Sequence, residues 1–478
     1  MKRCRFWVMG VAVTAGCALL AGPAIDRSAE RAKTPLDPGL KRIGTVTPRG
    51  ANEIAGSNWT LGCETLDRDF ASWDEYKGYI VPLGIKTIRL QGGWAKTEKA
   101  KGVYDFAWLD TLVDEARGLG LNILLETDYG NPVYPGGGGF DLAGGFPTSE
   151  EGLAAWDRWV EAMAKRYKGK VRDWAMWNEP DINKKHTPAD IAAFNIRTAE
   201  IVRRVIPDAR IAGLSLASSS PKLFEQCLKE LADKGKVDLF DWFIYHGYEF
   251  NPGKSYANVE ELKATLARYS TKAKMRQGEN GCPSETATRF ALSNHPWTES
   301  SQAKWDLRRM LGDLGHDVES SIFTICDFNH VGREINRKGL LHATPEKRVD
   351  KIKLAYYAVQ NLVAVFDDTL ERVKEPVAGV IFGRPTACFA YRNKASGQGL
   401  LALWDDSATP GDGFATQPAQ VTVKGLPFAE PVWVDLVSGG IYEIPAERIV
   451  KADGFTIFKD LPLYDAPVLV AEKALVLK

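Results

Sequence analysis

Two glutamates sit in segments whose residue types and spacing suit acid–base and nucleophilic chemistry: Trp177-Asn178-Glu179-Pro180 and Gln277-Gly278-Glu279-Asn280-Gly281. Each follows a run that reads as a buried strand, residues 171–177 and 274–278, so each places a carboxyl group at a strand's C-terminal tip. In a barrel of alternating strands and helices that rim is where active sites are built. Two carboxyl groups flanking a glycosidic bond are the minimum equipment for its hydrolysis. On this reading Glu179 protonates the leaving-group oxygen and then, as base, activates water. It needs a raised pKa while protonated, which desolvation by aromatics such as Trp177 supplies. Glu279 attacks the anomeric carbon and must stay ionised. Arg89, on the second strand, is the candidate cation that keeps it so.

Further residues fall at other strand tips. Asn178 offers an amide donor beside Glu179, and Tyr245-His246-Gly247-Tyr248 ends the strand next to that of Glu279. A phenol or imidazole there can donate to the nucleophile or to a sugar hydroxyl, although a lone histidine is often only a packed residue. Trp94 in Gly92-Gly93-Trp94 and Asn131 in Asp128-Tyr129-Gly130-Asn131-Pro132 follow the second and third strands and read as substrate wall, with a plain turn as the alternative. Asp327 follows the eighth strand. There is no H-E-x-x-H, P-loop or G-x-G-x-x-G pattern, and Gly213-Leu214-Ser215-Leu216-Ala217 lacks the second glycine of a nucleophile elbow. The 6 histidines are scattered, so neither a metal site nor a cofactor is expected.

The elements that must hold these residues alternate along the chain. Apolar strand-like runs at 59–62, 87–90, 122–126, 171–177, 210–214, 239–245, 274–278 and 321–326 are separated by stretches of helical period at 73–83, 107–119, 149–167, 188–205, 221–234, 259–269 and 302–314, with a last one at 351–366. Ser149 before Glu150 and Glu151 reads as an N-cap followed by an acidic first turn. Eight strands each followed by a helix make a (β/α)8 TIM barrel, here over residues 53–366. After Asp368 helical period gives way to strand-like runs at 378–382, 388–392, 399–404, 419–423, 432–435 and 468–471. These predict an antiparallel β-sandwich over residues 367–478. Residues 25–52 read as a linker that carries one candidate sandwich strand at 41–48. The glycine run 136–139 falls after the third barrel strand and reads as a mobile loop.

Composition is that of a globular protein: 45% hydrophobic and 26% charged in 478 residues, enough for a large core in two domains. Lys+Arg and Asp+Glu both number 61, so no net charge draws the chain to nucleic acid or an anionic membrane. The 14 tryptophans and 15 tyrosines leave some aromatics for sugar-stacking surfaces. Met1-Lys2-Arg3, an apolar run from Phe6 to Leu20 and small residues to Ala24 read as a secretory signal peptide over 1–24. The expectation is a secreted or periplasmic protein without a membrane span. Thr14-Ala15-Gly16-Cys17 carries only part of a lipoprotein box, so lipid anchoring is the lesser alternative. The cysteines after the leader, Cys63, Cys227, Cys282, Cys326 and Cys388, are odd in number and irregular in spacing. They are expected as buried free thiols, with one bridge among Cys63, Cys282 and Cys326 the alternative.

The ordered set Arg89, Asn178-Glu179-Pro180, His246-x-Tyr248 and Gly278-Glu279 resembles clan A glycoside hydrolases, which are retaining (β/α)8 enzymes. The stretch from Gly92 to Asp110 (Trp94, Glu98, Gly102, Tyr104, Phe106, Leu109-Asp110) and the tip Gly130-Asn131-Pro132 are similar to family 39 and its neighbours, which include β-xylosidases and α-L-iduronidases. So is the close, Lys353-x-x-Tyr356-Tyr357-Ala358-Val359-Gln360-Asn361-Leu362 followed by a sandwich. Phe323 and Phe328 stand where many relatives use tryptophan, a departure at the subsite for the reacting sugar. The resemblance implies a carbohydrate substrate and a retaining O-glycosidase. Long connections after strands 3, 6, 7 and 8 favour exo action on a terminal sugar of a plant or microbial glycan. The alternatives are an endo-glycanase of the same clan, a transglycosylase and a catalytically silent glycan-binding protein.

Overall fold

The computed structural model describes residues 22–330, 334–374 and 378–477. The leader read at 1–24 therefore lies, but for its last three residues, outside the described residues, as does Cys17. A first strand, β1 (Arg42–Thr45), precedes the barrel. The barrel strands are β2 (Trp59–Gly62), β3 (Thr87–Gln91), β4 (Asn122–Glu126), β5 (Asp173–Ala175), β6 (Arg210–Leu216), β7 (Trp242–Tyr245), β8 (Lys274–Asn280) and β9 (Glu319–Ile322). They pair in parallel and in chain order, and β9 closes the ring on β2 through Thr60 and Ser321. The outer layer is α1 (Trp73–Leu83), the single turn α2 (Trp94–Thr97), α3 (Ala107–Gly118), α4 (Glu150–Tyr167), α5 (Pro188–Val205), α6 (Pro221–Asp233), α7 (Tyr256–Ala267), α8 (Glu299–Gly315) and α9 (Leu354–Val365).

Helix starts follow their capping residues. Ser149, Thr187, Ser220 and Thr298 each accept a backbone N–H of the first turn of α4, α5, α6 and α8, and Pro188 and Pro221 occupy the first helical position, where no donor is lost. The last barrel strand is displaced from the expected 321–326. Beyond Ile322 the chain leaves the ladder, and the Ile325 N–H donates to Gly62 while Asp327 N–H donates to Leu341. The glycine run expected to be mobile is instead stitched. Thr148 N–H donates to Gly136, Asn131 N–H to Gly137, and Gly139 N–H to Gly144, each at 2.8 to 2.9 Å. A Cβ on Gly139 would lie 2.4 Å from the Gly144 Cα, so the two sides of this loop meet where only glycine fits.

Two antiparallel sheets make the C-terminal sandwich. The larger has seven strands and takes β1 at its edge, paired with Gly440–Glu443, and the smaller has four. Strands at Leu370–Val373, Gly440–Glu443, Ile449–Ala452 and Phe455–Leu463 were not legible as apolar runs. The last of them carries Lys459, Asp460 and Pro462 within it. The sandwich packs on α8 and α9. Lys304 Nζ donates to Gly411 and Asp465, Arg308 reaches Asp406 and Ala408, and Asn361 Nδ2 donates to Leu436 and Val437. Burial on both faces explains why α8 buries charged residues that its amphipathic pattern would leave in water. Cys63, Cys227, Cys282, Cys326 and Cys388 are free thiols, the first four fully buried.

Candidate active site

The strand tips converge on a cavity of about 1280 Å³ lined from all eight barrel strands or the loops that follow them. At its floor Arg89, buried on β3, organises the charges. Its Nη1 donates to Glu279 Oε2 at 2.9 Å and to Glu64 Oε1 at 2.8 Å. Its Nη2 donates to both Glu126 oxygens, at 2.9 and 2.8 Å, and to Asn178 Oδ1 at 2.8 Å. One guanidinium cannot keep three buried carboxylates ionised, and Glu64 yields. Burial, opposed by Arg89 and reinforced by the Glu279 charge, pushes its carboxyl up to about 7. Its Oε2 is buried without a partner above Gly62, where a Cβ would come within 2.4 Å of it.

Glu279 is treated differently. Burial pushes its carboxyl up, but His246, Arg89 and the Tyr248 hydroxyl, which donates to Oε1 at 2.9 Å, bring it below the ordinary carboxylate range. Glu179 moves the other way. Burial raises it, His246 opposes, and the neighbouring Glu279 adds to the rise. The two environments thus separate the pKa values in the sense that an acid and a nucleophile require. His246 Nδ1 bonds Glu179 Oε1 at 2.7 Å and lies 3.8 Å from Glu279 Oε2, so one imidazole touches both carboxylates. Gly278 makes room for it, since a Cβ there would meet Ile244 at 2.2 Å and His246 Nε2 at 3.2 Å.

One oxygen of Glu179, one of Glu279 and a His246 nitrogen all lie within 4.8 Å of one another. Retaining glycosidases hold their carboxyl groups about 5 to 5.5 Å apart, and inverting ones about 6.5 to 9.5 Å apart. The close approach of the nearest oxygens here is compatible with the shorter, retaining arrangement. Among the described residues this trio is also the one group whose ligating atoms converge as around a metal ion. His246 Nδ1 is engaged with Glu179, and Arg89 sets a fixed cation beside Glu279. Backbone geometry aims Glu179, which has φ +49° and whose N–H donates to Ser215, itself at φ +42° where β6 shifts register. Non-glycine residues rarely hold this conformation, and each does so at a cost of about 1 to 2 kcal/mol.

Of the residues singled out in the sequence, Arg89, Asn178, Glu179, His246, Tyr248 and Glu279 come together. Four do not. Trp94 is fully buried, packed on Trp159 and Tyr134 at 6.0 and 5.7 Å with its Nε1 on Glu98, so Gly93 and Ala95 line the cavity in its place. Asn131 donates to the Glu98 carbonyl at 2.8 Å and accepts Val133 N–H, which fixes a loop rather than a ligand. Tyr245 points outward from β7 toward Asp313 and Arg309 of α8, because neighbours on a strand face opposite sides and His246 takes the inner one. Asp327 is locked by Lys353 at 2.7 Å and Arg337 at 3.1 Å. The reading overlooked Glu64, Glu126, Lys338 and Phe140. The strand-tip rule finds the first two when it is applied to β2 and β4 as well.

No protein-family model and no curated protein matches the chain. Solved structures do. A family 39 glycoside hydrolase from Bacteroides cellulosilyticus WH2 superposes with a TM-score of 0.62 at 17% identity over 90% of this chain and 83% of that one. The chain shares its fold. A monomeric β-xylosidase from Caulobacter crescentus CB15 gives 0.55 at 14% identity, covering 90% of this chain and 97% of that one. The catalytic domain of a family 30 xylanase C from Talaromyces cellulolyticus gives 0.54 at 13%, covering 91% and 98%. The chain therefore shares the fold of these family 39 and family 30 enzymes at low sequence identity.

Proposed function

We propose that the protein is a retaining glycoside hydrolase that acts by double displacement. The observation that carries this reading is the pair Glu179 and Glu279, close enough for direct attack and shifted in opposite directions by their surroundings. Glu179, neutral, gives its proton to the glycosidic oxygen while Glu279, ionised by Arg89, His246 and Tyr248, attacks the anomeric carbon. The aglycone leaves as an alcohol and a glycosyl ester on Glu279 remains. Glu179, now a carboxylate, takes a proton from water as that water attacks the same carbon, which restores both groups. The arrangement of Asn178 between Arg89 and the Tyr129 hydroxyl holds its amide rigidly beside the anomeric centre.

Exo action on a terminal sugar is the finer part of the proposal. It is supported by the segments from every strand tip that line the cavity, an arrangement that favours a pocket over an open-ended groove. Export from the cytoplasm rests on the leader pattern at 1–24 alone. The chemistry is tested with a panel of aryl glycosides, followed by mass spectrometry of protein incubated with the 2-deoxy-2-fluoro analogue of the best substrate. A glycosyl adduct on Glu279 is the expected result. Activity with inversion at the anomeric carbon overturns double displacement. Monosaccharide released from the first minutes of an oligosaccharide digest supports exo action, and early mid-length fragments refute it.

A further inference from the structure

The side of the cavity next to Glu179 carries a large, mostly exposed apolar side chain that the mechanism above does not use. Phe140 is 55% exposed, and its ring packs on no other aromatic among the described residues. It lines the cavity with Asp141, Leu142 and Ala143. An exposed phenylalanine on a floppy tip would need no explanation. This one is held in place. Gly139 N–H donates to Gly144 at 2.9 Å and Gly144 N–H to Asp141 at 3.0 Å, across the close approach that only glycine permits.

The tip is also tied to the segment that follows Glu179. Asn183 Nδ2 donates to Ala143 at 3.2 Å, and His186 accepts Phe146 N–H at 3.2 Å while stacking on the Phe146 ring at 4.0 Å. His186 in turn bonds the carbonyl of Pro180, the residue next to Glu179. The loop that carries Phe140 is therefore tied to the segment that carries Glu179. A general acid faces the leaving group by definition of its task. An apolar ring fixed on that side meets the aglycone.

We propose that Phe140 is the platform for the leaving-group sugar, so that the substrate is a disaccharide or longer glycan whose penultimate ring stacks on it. This rests on the hydrolase reading and adds a specificity-determining residue and a minimum substrate length to it. A pyranose offers an apolar C–H face that an aromatic ring desolvates. Burying most of a phenylalanine ring is worth about ten- to a hundredfold in kcat/KM.

The test compares two probes, the glycosyl fluoride and the β-linked disaccharide of whichever of D-xylose, D-glucose, D-galactose and L-arabinose the wild type hydrolyses fastest. The fluoride has no leaving-group sugar. In Phe140→Ala the ratio of kcat/KM on the disaccharide to that on the fluoride should fall about tenfold or more, and Phe140→Trp should restore it. A ratio that stays at the wild-type value in Phe140→Ala, whether both rates fall together or neither does, overturns the platform and leaves the hydrolase reading standing. A wild type that hydrolyses neither probe removes both.

Discussion

Glu64 bonds Arg89 through the same nitrogen, Nη1, that Arg89 offers to Glu279. The cation that holds the Glu279 carboxyl below its ordinary range is thus shared with a second carboxyl group that burial pushes up to about 7. Between 4.5, its ordinary value, and about 7 the native protein binds a proton there that the unfolded chain has lost. Stability at this site must therefore fall as pH rises through that window. Glu64→Gln keeps an acceptor for Arg89 and removes the ionisation. The drop in Tm between pH 5 and pH 8 should be smaller in Glu64→Gln than in wild type. Parallel Tm curves for the two proteins would refute this.

The two glutamates should fail differently. Glu279→Ala should form no covalent adduct with any substrate. Glu179→Ala should still glycosylate Glu279 from substrates with good leaving groups, such as dinitrophenyl glycosides, while natural linkages slow by about 10²- to 10⁴-fold. Pre-steady-state bursts of dinitrophenol measure this. Equal losses on activated and natural substrates in both variants would contradict the assigned roles.

His246 stands between the pair and bears on both pKa values. It lowers Glu179 and Glu279 alike against the upward push of burial. In His246→Asn both carboxyl groups should titrate higher. The acid limb of kcat/KM, which reports ionisation of Glu279, and the alkaline limb, which reports deprotonation of Glu179, should then both move to higher pH. An alkaline limb that stays in place would detach His246 from the acid.

Removing the sandwich should not leave a usable barrel. Lys304 and Arg308 of α8 are buried, and the groups they bond across the interface, Asp465 and Asp406 among them, belong to the sandwich. A chain ending at Phe366 exposes the apolar face of α9 and the surface of α8 around Lys304 and Arg308 that the sandwich covers. Expression of that truncation should yield insoluble protein. A soluble, active barrel would show the sandwich to be dispensable.

The barrel was legible because each strand is a short apolar run bounded by helical period, and a strand–helix repeat leaves few topologies. The meeting of Glu179 and Glu279 was legible because two carboxyl groups at strand tips of one barrel converge on its rim. What failed was parity. An apolar run announces a strand without saying which alternate residues face inward, so Tyr245 and His246 were both assigned to the site although β7 turns them to opposite faces. Trp94 failed for a related reason. Large aromatics were read as substrate wall, but in this loop the indole fills the space beneath and the small Gly93 and Ala95 meet the cavity. Glu64 and Glu126 went unread because their partner, Arg89, is distant in sequence and close only once the ring is closed.

The ring's closure has an experimental handle built into it. Cys63 follows β2 and Cys326 follows β9, the first and last strands of the barrel, and both thiols are buried, unbridged and raised well above their ordinary pKa by desolvation. A thiol in that state reacts with an alkylating reagent only while it is opened to solvent. The rate at which Cys63 and Cys326 are labelled in native buffer is therefore a clock for transient parting of the seam where the cylinder meets itself. Comparing that rate with that of Cys227, buried on α6 far round the cylinder, would tell whether the barrel comes apart at its seam first or all at once.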